Sequence, residues 1–358
     1  MDLIASQLHI APATFWMAAK VIIVFGGVMA LAAIWTWVER RGSAMIQDRI
    51  GPNRAKLFGR WPILGLAQIA ADGIKMFFKE DLIPADANKK LFFLAPFLAF
   101  VPALMGFAVI PFGKSFTSGG VTYHLSVLDP GNGMGMLYPL AIGGMAVYGV
   151  LVAAWSSNNK WSILGGMRAS AAMVSYEIGL SLAVITIFMT TGGYDPSEII
   201  GAQGGTIFHG LLPKWNIFFQ PFGFIVFFTC MFAETNRLPF DFAEGESEIV
   251  AGFNTEFGSM KYSLLALAEY SHLMTASALI TTLYFGGWQV PFMANPPVML
   301  SVACFLLKML FFAWVFVWIR WTLPRFRYDQ LMHLGWKVML PLSMVNLVFH
   351  AWRMSQGH

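Results

Sequence analysis

The chain has 358 residues, of which 57% are hydrophobic and 12% charged, with a net charge of +4 and a mean hydropathy of +0.62. Soluble domains carry about 25% charged residues, so a water-soluble protein is excluded and an integral membrane protein is indicated. Cys230 and Cys304 lack any C-x-x-C spacing, so no iron–sulfur cluster, other metal site or structural disulfide is expected in this chain. No basic segment precedes the first apolar run, so neither a cleavable signal peptide nor a transit peptide is expected.

A hydrocarbon core of about 30 Å needs about 20 apolar residues in a helix. Runs near that length lie at Phe15–Val38, Leu91–Phe112, Leu137–Trp155, Ala171–Thr190, Ile217–Ala233, Ser263–Trp288, Val298–Ile319 and Trp336–Ala351. They predict an all-α polytopic membrane protein with eight transmembrane helices in a single integral membrane domain spanning residues 1–358. A β-barrel would show alternation instead. The loop after the first span holds ten Lys and Arg, from Arg40 to Lys90, and the loops on that side add Lys160, Arg168, Arg237, Lys261, Arg320, Arg325 and Arg327. The opposite side offers Lys114, Lys214 and Arg353. By the positive-inside rule both termini face outward, to the periplasm in a bacterium.

Within the first inner loop, Gln68, Asp72, Lys75 and Lys79 recur at helical spacing, while Ile63, Leu66, Ala70, Ile74 and Phe77 hold the other face. This predicts an interfacial amphipathic helix with its apolar side down, entered through Pro62 and ended before Pro84. A plain basic loop facing lipid is the alternative. The segment before it, ERRGSAMIQDRIGPNRAKLFG, carries Gly51-Pro52-Asn53 as turn chemistry. The inner loop 234–262 instead packs six carboxylates between Glu234 and Glu256, with Arg237 among them. Asp241, Glu244 and Glu248 fall at i, i+3 and i+7, so a helix would present them as one stripe facing the basic loop. Against a solvated acidic loop stand Phe240, Phe242, Ile249, Val250, Phe253 and Phe257, interleaved with the acids.

Inside the spans, Glu177 and Glu269 each fall about seven residues past an inner boundary, a matched depth of about 10 Å. Two carboxylates so placed could relay protons with the acidic loop, and His272 shares a face with Glu269. Lys308, near the middle of its span, calls for an acidic partner or a water cavity, whereas Lys20 is expected to snorkel outward. Helix-packing hydrogen bonds are the competing reading for all of these groups.

Five stretches, ERRGSAMIQDRIGPN, AQIAADGIKMFFKED, SNNKWSILGGMRASAAMVSYE, AETNRLPFDFAEGESEIVAGFNTEF with its trailing ALAEY, and PRFRYDQLMHLGWK, spread from Glu39 to Lys337. In them the chain resembles the family of H-type membrane subunits (the mitochondrial subunit 1 type) of proton-pumping NADH:quinone oxidoreductase, respiratory complex I. The resemblance implies a component of a translocating enzyme that docks the hydrophilic arm, forms much of the quinone tunnel and has no complete redox centre. It carries tunnel roles onto Glu39, Arg40, Arg49, Asp72, Lys75 and Arg237. It carries relay roles onto Glu177, Glu234, Asp241, Glu244, Glu246, Glu248 and Glu269. Quinone, with ubiquinone expected, would be the bound substrate; FMN, the iron–sulfur clusters and the quinone-headgroup site would lie in partner subunits. The location implied is the bacterial inner membrane, with the mitochondrial inner membrane as the alternative.

In the coupling mechanism expected, quinone reduction changes charge in an apolar tunnel and shifts the protonation of the acidic loop. Glu246→Gln or Glu248→Gln would then lower quinone reduction and pumping together. The equivalent component of a membrane-bound hydrogenase or formate hydrogenlyase would share the arginines and acids without needing quinone. A stand-alone secondary transporter would show inverted repeats, and the chain has no convincing internal repeat.

Overall fold

A computed structural model of the chain describes residues 12–55, 63–118, 121–128, 131, 133–207, 212–243, 245–293 and 295–356. Helix α1, Pro12–Ile46, is followed by a 3-10 turn at Ile63–Gly65 and by α2, Ala67–Phe78. Next come α3, Lys89–Met105; α4, Leu137–Gly144; α5, Ala146–Ser156; and α6, Lys160–Thr191. The second half holds α7, Pro196–Ala202; α8, Asn216–Phe219; α9, Pro221–Glu234; α10, Glu246–Ile249; and α11, Ser259–Tyr284. It ends with α12, Val298–Thr322; α13, Tyr328–His333; a π-helical turn at Leu334–Met339; and α14, Leu340–Ser355. Two small hairpins decorate the connections: β1, Phe116–Ser118, pairs antiparallel with β2, Val121–Tyr123, and β3, Thr206–Ile207, with β4, Leu212–Pro213.

Seven helical segments among the described residues are long and apolar enough to cross a membrane, and α9, at 14 residues, is a shorter apolar helix. The all-α polytopic architecture expected from composition is therefore what the chain forms. Its boundaries differ from the hydropathy runs in an instructive way. Helix α1 continues eight residues past Val38, and α6 begins eleven residues before Ala171. A charge ends an apolar run but not a helix, since Arg, Glu and Lys are good helix formers; Glu39 and Arg40 thus sit on α1 rather than at the start of a loop. The stretch Leu137–Trp155 is broken at Met145, after Gly143 and Gly144, and the stretch Ile217–Ala233 is broken at Gln220 before Pro221.

Helix α11, most of whose C-terminal half is buried, packs on α1, α3 and α12 and shares one hydrophobic core with α6 and α9. A second cluster joins α3 and α5 to Ala243, Phe253 and Phe257 of the acidic segment, where Phe257 stacks on Phe92 at 4.1 Å between ring centres. Small residues permit that approach. A Cβ on Gly165 of α6 would lie 2.7 Å from the Gly252 Cα and 3.0 Å from the Phe253 backbone nitrogen.

Candidate functional site: a charged chamber beside the amphipathic helix

Helix α2 is held by its ends. The Trp37 indole N–H and an Arg41 guanidinium N–H donate to the Leu64 carbonyl at 3.1 and 3.2 Å, and the Ser259 hydroxyl lies 3.0 Å from the carbonyls of both Met76 and Lys79. Gly65 has φ +81, and a Cβ there would collide with the Pro52 carbonyl, so the turn at Gly51-Pro52-Asn53 and the entry to α2 fit together only through a glycine. Ile74, Phe77 and Phe78 of α2 are exposed, as an interfacial helix requires. Ile69, Asp72, Gly73 and Met76, at i, i+3, i+4 and i+7, turn the opposite way and line a cavity of about 420 Å³. Pro62, the expected entry residue, lies outside the described residues.

The far wall of the chamber is a set of buried ion pairs. Arg237, with no exposed side-chain surface, places a guanidinium nitrogen 2.8 Å from Glu39 Oε2 and its Nε 2.7 Å from Glu269 Oε1. Arg320 closes the square at 2.6 Å from Glu39 Oε1 and 3.6 Å from Glu269 Oε1. The Arg237 guanidinium also lies 4.5 Å from the Tyr270 ring centre, within cation–π range. Burial alone would lower the Arg237 pKa, but Glu39 and Glu269 outweigh it and hold the group above its ordinary value. Two carboxylates and two guanidiniums leave this square neutral, which is how charges are retained in a low-dielectric interior.

Deeper in, Glu234 and His272 line the chamber and also a second, enclosed space of about 20 Å³, which Glu177 shares. The glycines at the α4–α5 break make room for these acids. A Cβ on Gly143 would stand 2.9 Å from Glu234 Oε1, and one on Gly144 would press on Glu177 Oε1.

Of the residues singled out in the sequence, Arg40, Asp72, Glu234, Arg237, Asp241 and Glu269 line the chamber, Glu39 anchors its charged wall, and Glu177 lies beyond it. Arg49 and Lys75 are exposed and do not line it. Glu244 lies outside the described residues, as does the side chain of Glu246.

The carboxylate stripe does not form. Helix α10 covers only Glu246–Ile249, and Asp241 sits in the preceding turn, 2.8 Å from Arg325, while Glu248 pairs with Arg168 at 2.6 Å. Phe240, Phe242, Ile249 and Phe253 are buried, and burying them folds the segment into short turns rather than one helix. The described carboxylates of the acidic segment pair elsewhere, Asp241 with Arg325 after α12, Glu248 with Arg168 of α6 and Glu256 with Asn159, which donates to it at 2.6 Å, while Ser259 and Lys261 of the same segment do reach the basic loop. Arg40, near the C-terminal end of α1, pairs with Asp72 of α2.

Counted from their helix starts, Glu177 lies 17 residues into α6 and Glu269 10 residues into α11, about 26 and 15 Å along their axes, because α6 starts earlier than its apolar run. Lys308 has no acidic partner among the described residues. Its ammonium donates to the carbonyls of Phe285, Gly287 and Gln289 at 2.8, 3.0 and 2.8 Å and lies 4.9 Å from the Trp215 ring centre.

In the sequence, Arg320 and Arg325 register only as loop charge, and the Gly143-Gly144 pair only as part of an apolar run. A Gly-Gly step inside a membrane helix was the available signal; nothing in the sequence revealed which acids Arg320 meets.

A bundle of long apolar helices around a chamber walled by ion pairs is the architecture of a polytopic membrane protein. Residues 19–351 match the family described as NADH dehydrogenase, and the chain belongs to that family. It is 43% identical over 345 residues to an NADH-quinone oxidoreductase H subunit of Cytophaga hutchinsonii, covering 94% of this chain and 96% of that protein. It is 44% identical over 345 residues to the H subunit of the same enzyme from Leptospira biflexa, covering 92% of each. To an H subunit from Geobacter sulfurreducens it is 44% identical over 341 residues, covering 93% of each.

Proposed function

We propose that this chain is the membrane subunit of a proton-translocating NADH-quinone oxidoreductase, forming part of its quinone tunnel and passing redox energy to proton movement. Family membership and the names of its relatives support the enzyme. They also favour it over a hydrogenase-type complex. The observation that carries the local reading is the continuity of the chamber: one cavity reaches from Arg40 and Asp72, beside the amphipathic helix, to Glu234. Its volume of about 420 Å³ falls within the usual range for small-molecule sites, enough for a quinone ring and the first part of a tail.

FMN and the iron–sulfur clusters belong to partner subunits docked on the inner face; this chain supplies shape and field. Reducing a quinone takes two electrons and two protons, so electron arrival puts negative charge in the chamber before protons follow. A unit charge about 10 Å from a carboxylate, at an effective dielectric of about 20, acts with about 1.7 kcal/mol, more than one pKa unit. Glu234 is placed to take up a proton in response, and Glu177 to hand it on. Arg237 and Arg320 hold Glu39 and Glu269 in ion pairs, so those two act as fixed field rather than as carriers. Both termini face the periplasm, and the membrane is the cell inner membrane.

The test is Glu234→Gln in the assembled complex within sealed membranes. Quinone reduction and proton translocation should fall together by at least tenfold while assembly persists. Full pumping would reject the relay.

A further inference from the structure

Two spaces inside the protein touch at a single pair of side chains. Glu234 and His272 line both the chamber of about 420 Å³ and the enclosed void of about 20 Å³, and among the described residues no other lines both. His272 is partly buried, with 13% of its side chain exposed but both ring nitrogens shielded. Neither nitrogen has a hydrogen-bond partner among the described residues, and Glu234 Oε2 has none either. The nearest approach, His272 Nε2 to Glu234 Oε1, is 3.6 Å, just beyond a hydrogen bond.

A histidine that merely fills a core satisfies at least one nitrogen, because leaving a buried polar group unmade costs about 1–3 kcal/mol. The Thr275 hydroxyl, which also lines the void, donates to the Ala103 carbonyl at 2.8 Å. A void of about 20 Å³ has room for one water, which needs about 10–15 Å³ of such volume. It is polar on the side of Glu177, Glu234 and His272.

We propose that His272 is the proton-passing partition between the two spaces. It rests on the relay reading above and adds the residue through which the proton crosses. The neutral imidazole accepts a proton on its lone-pair nitrogen from the chamber side and becomes imidazolium beside the Glu234 carboxylate, which offsets the charge. The other nitrogen then releases its proton toward the void, to Glu234 or to a water touching Glu177. The ring is left neutral in its other tautomer, and rotation about its Cβ–Cγ bond turns the new N–H toward the void and a lone pair back toward the chamber. One proton enters, one leaves, and no electron moves.

The experiment uses the assembled complex in sealed membranes and two variants. His272→Gln keeps hydrogen-bonding capacity without a titrating proton, and His272→Phe keeps the ring shape without nitrogens. Proton translocation and quinone reduction are measured together with the infrared difference spectrum on quinone reduction, using protein labelled with 15N in the histidine ring. Both variants should lose proton translocation at least tenfold while still assembling, and the wild type should show an isotope-shifted imidazole band that His272→Gln lacks.

Translocation within twofold of wild type in His272→Gln, or an unchanged imidazole band in that variant, overturns the proposal. If neither variant assembles, the labelled wild-type complex still decides, because the absence of any imidazole band on quinone reduction also overturns it. Glu177→Gln and Glu234→Gln measured in parallel separate the two levels. Pumping lost in those but kept in His272→Gln removes the partition and leaves the relay; pumping kept in all three removes both.

Discussion

Replacing Arg237 by leucine tests the charged square directly. The wild-type square is neutral, with Arg237 at 2.8 Å from Glu39 and 2.7 Å from Glu269. Arg237→Leu leaves two carboxylates to share Arg320, which reaches Glu39 at 2.6 Å but stands 3.6 Å from Glu269. Glu269 is therefore the group left most exposed to uncompensated burial. Breaking a buried pair from one side costs about 3–5 kcal/mol, and the lost cation–π contact with Tyr270 adds up to about 2 kcal/mol. The double variant Arg237→Leu/Glu269→Leu removes one charge of each sign and keeps the Glu39–Arg320 pair, so it should be less harmful than the single one by about 1–3 kcal/mol. The assay is the melting temperature of the purified complex, with retention of this chain on native gels. A single variant that assembles and melts like wild type, or a double variant no better than the single, would refute the argument.

Four further outcomes follow from the geometry. Glu248→Gln breaks an ion pair between two partly exposed side chains, worth about 0–1 kcal/mol, so it should leave far more pumping than Glu234→Gln when both are assayed in vesicles. Gly144→Ala changes no charge but presses on Glu177; it should lower proton translocation with assembly of the complex intact, as read by native gels. Gly165→Ala drives a methyl against the Gly252 backbone, an overpacking cost of about 1–3 kcal/mol, and limited proteolysis should then cut the segment 243–257 faster. Lys308→Met strips three carbonyls of their charged donor; hydrogen exchange should accelerate at residues 285–289 and not at the chamber.

How much of this was written in the sequence depends on the scale of the question. Apolar runs located the seven described helices long and apolar enough to cross a membrane, because burying apolar length is a local property, while the run Ile217–Ala233 yields only the 14-residue α9. The amphipathic spacing from Ile63 to Lys79 located α2 for the same reason. Helix ends were misplaced where charged residues prolong a helix, at Glu39 and at Lys160. Pairings were the least legible. Arg237 and Glu39 are 198 positions apart, and Arg320 and Glu39 are 281 apart; nothing local says that they meet. The acidic stripe failed because its interleaved phenylalanines won: burying Phe240, Phe242 and Phe253 offsets more free energy than aligning exposed acids on one helix, which repel each other.

Where α11 stops at Tyr284, the chain curls so that the oxygens of Phe285, Gly287 and Gln289 converge on the Lys308 amine. A ring of backbone oxygens at such a helix break is the kind of nest in which other membrane proteins lodge a sodium or potassium ion. Here the positive guest is tethered by its own stem and cannot diffuse off. The site is thus filled by the chain's own cation, which ties α12 to the end of α11.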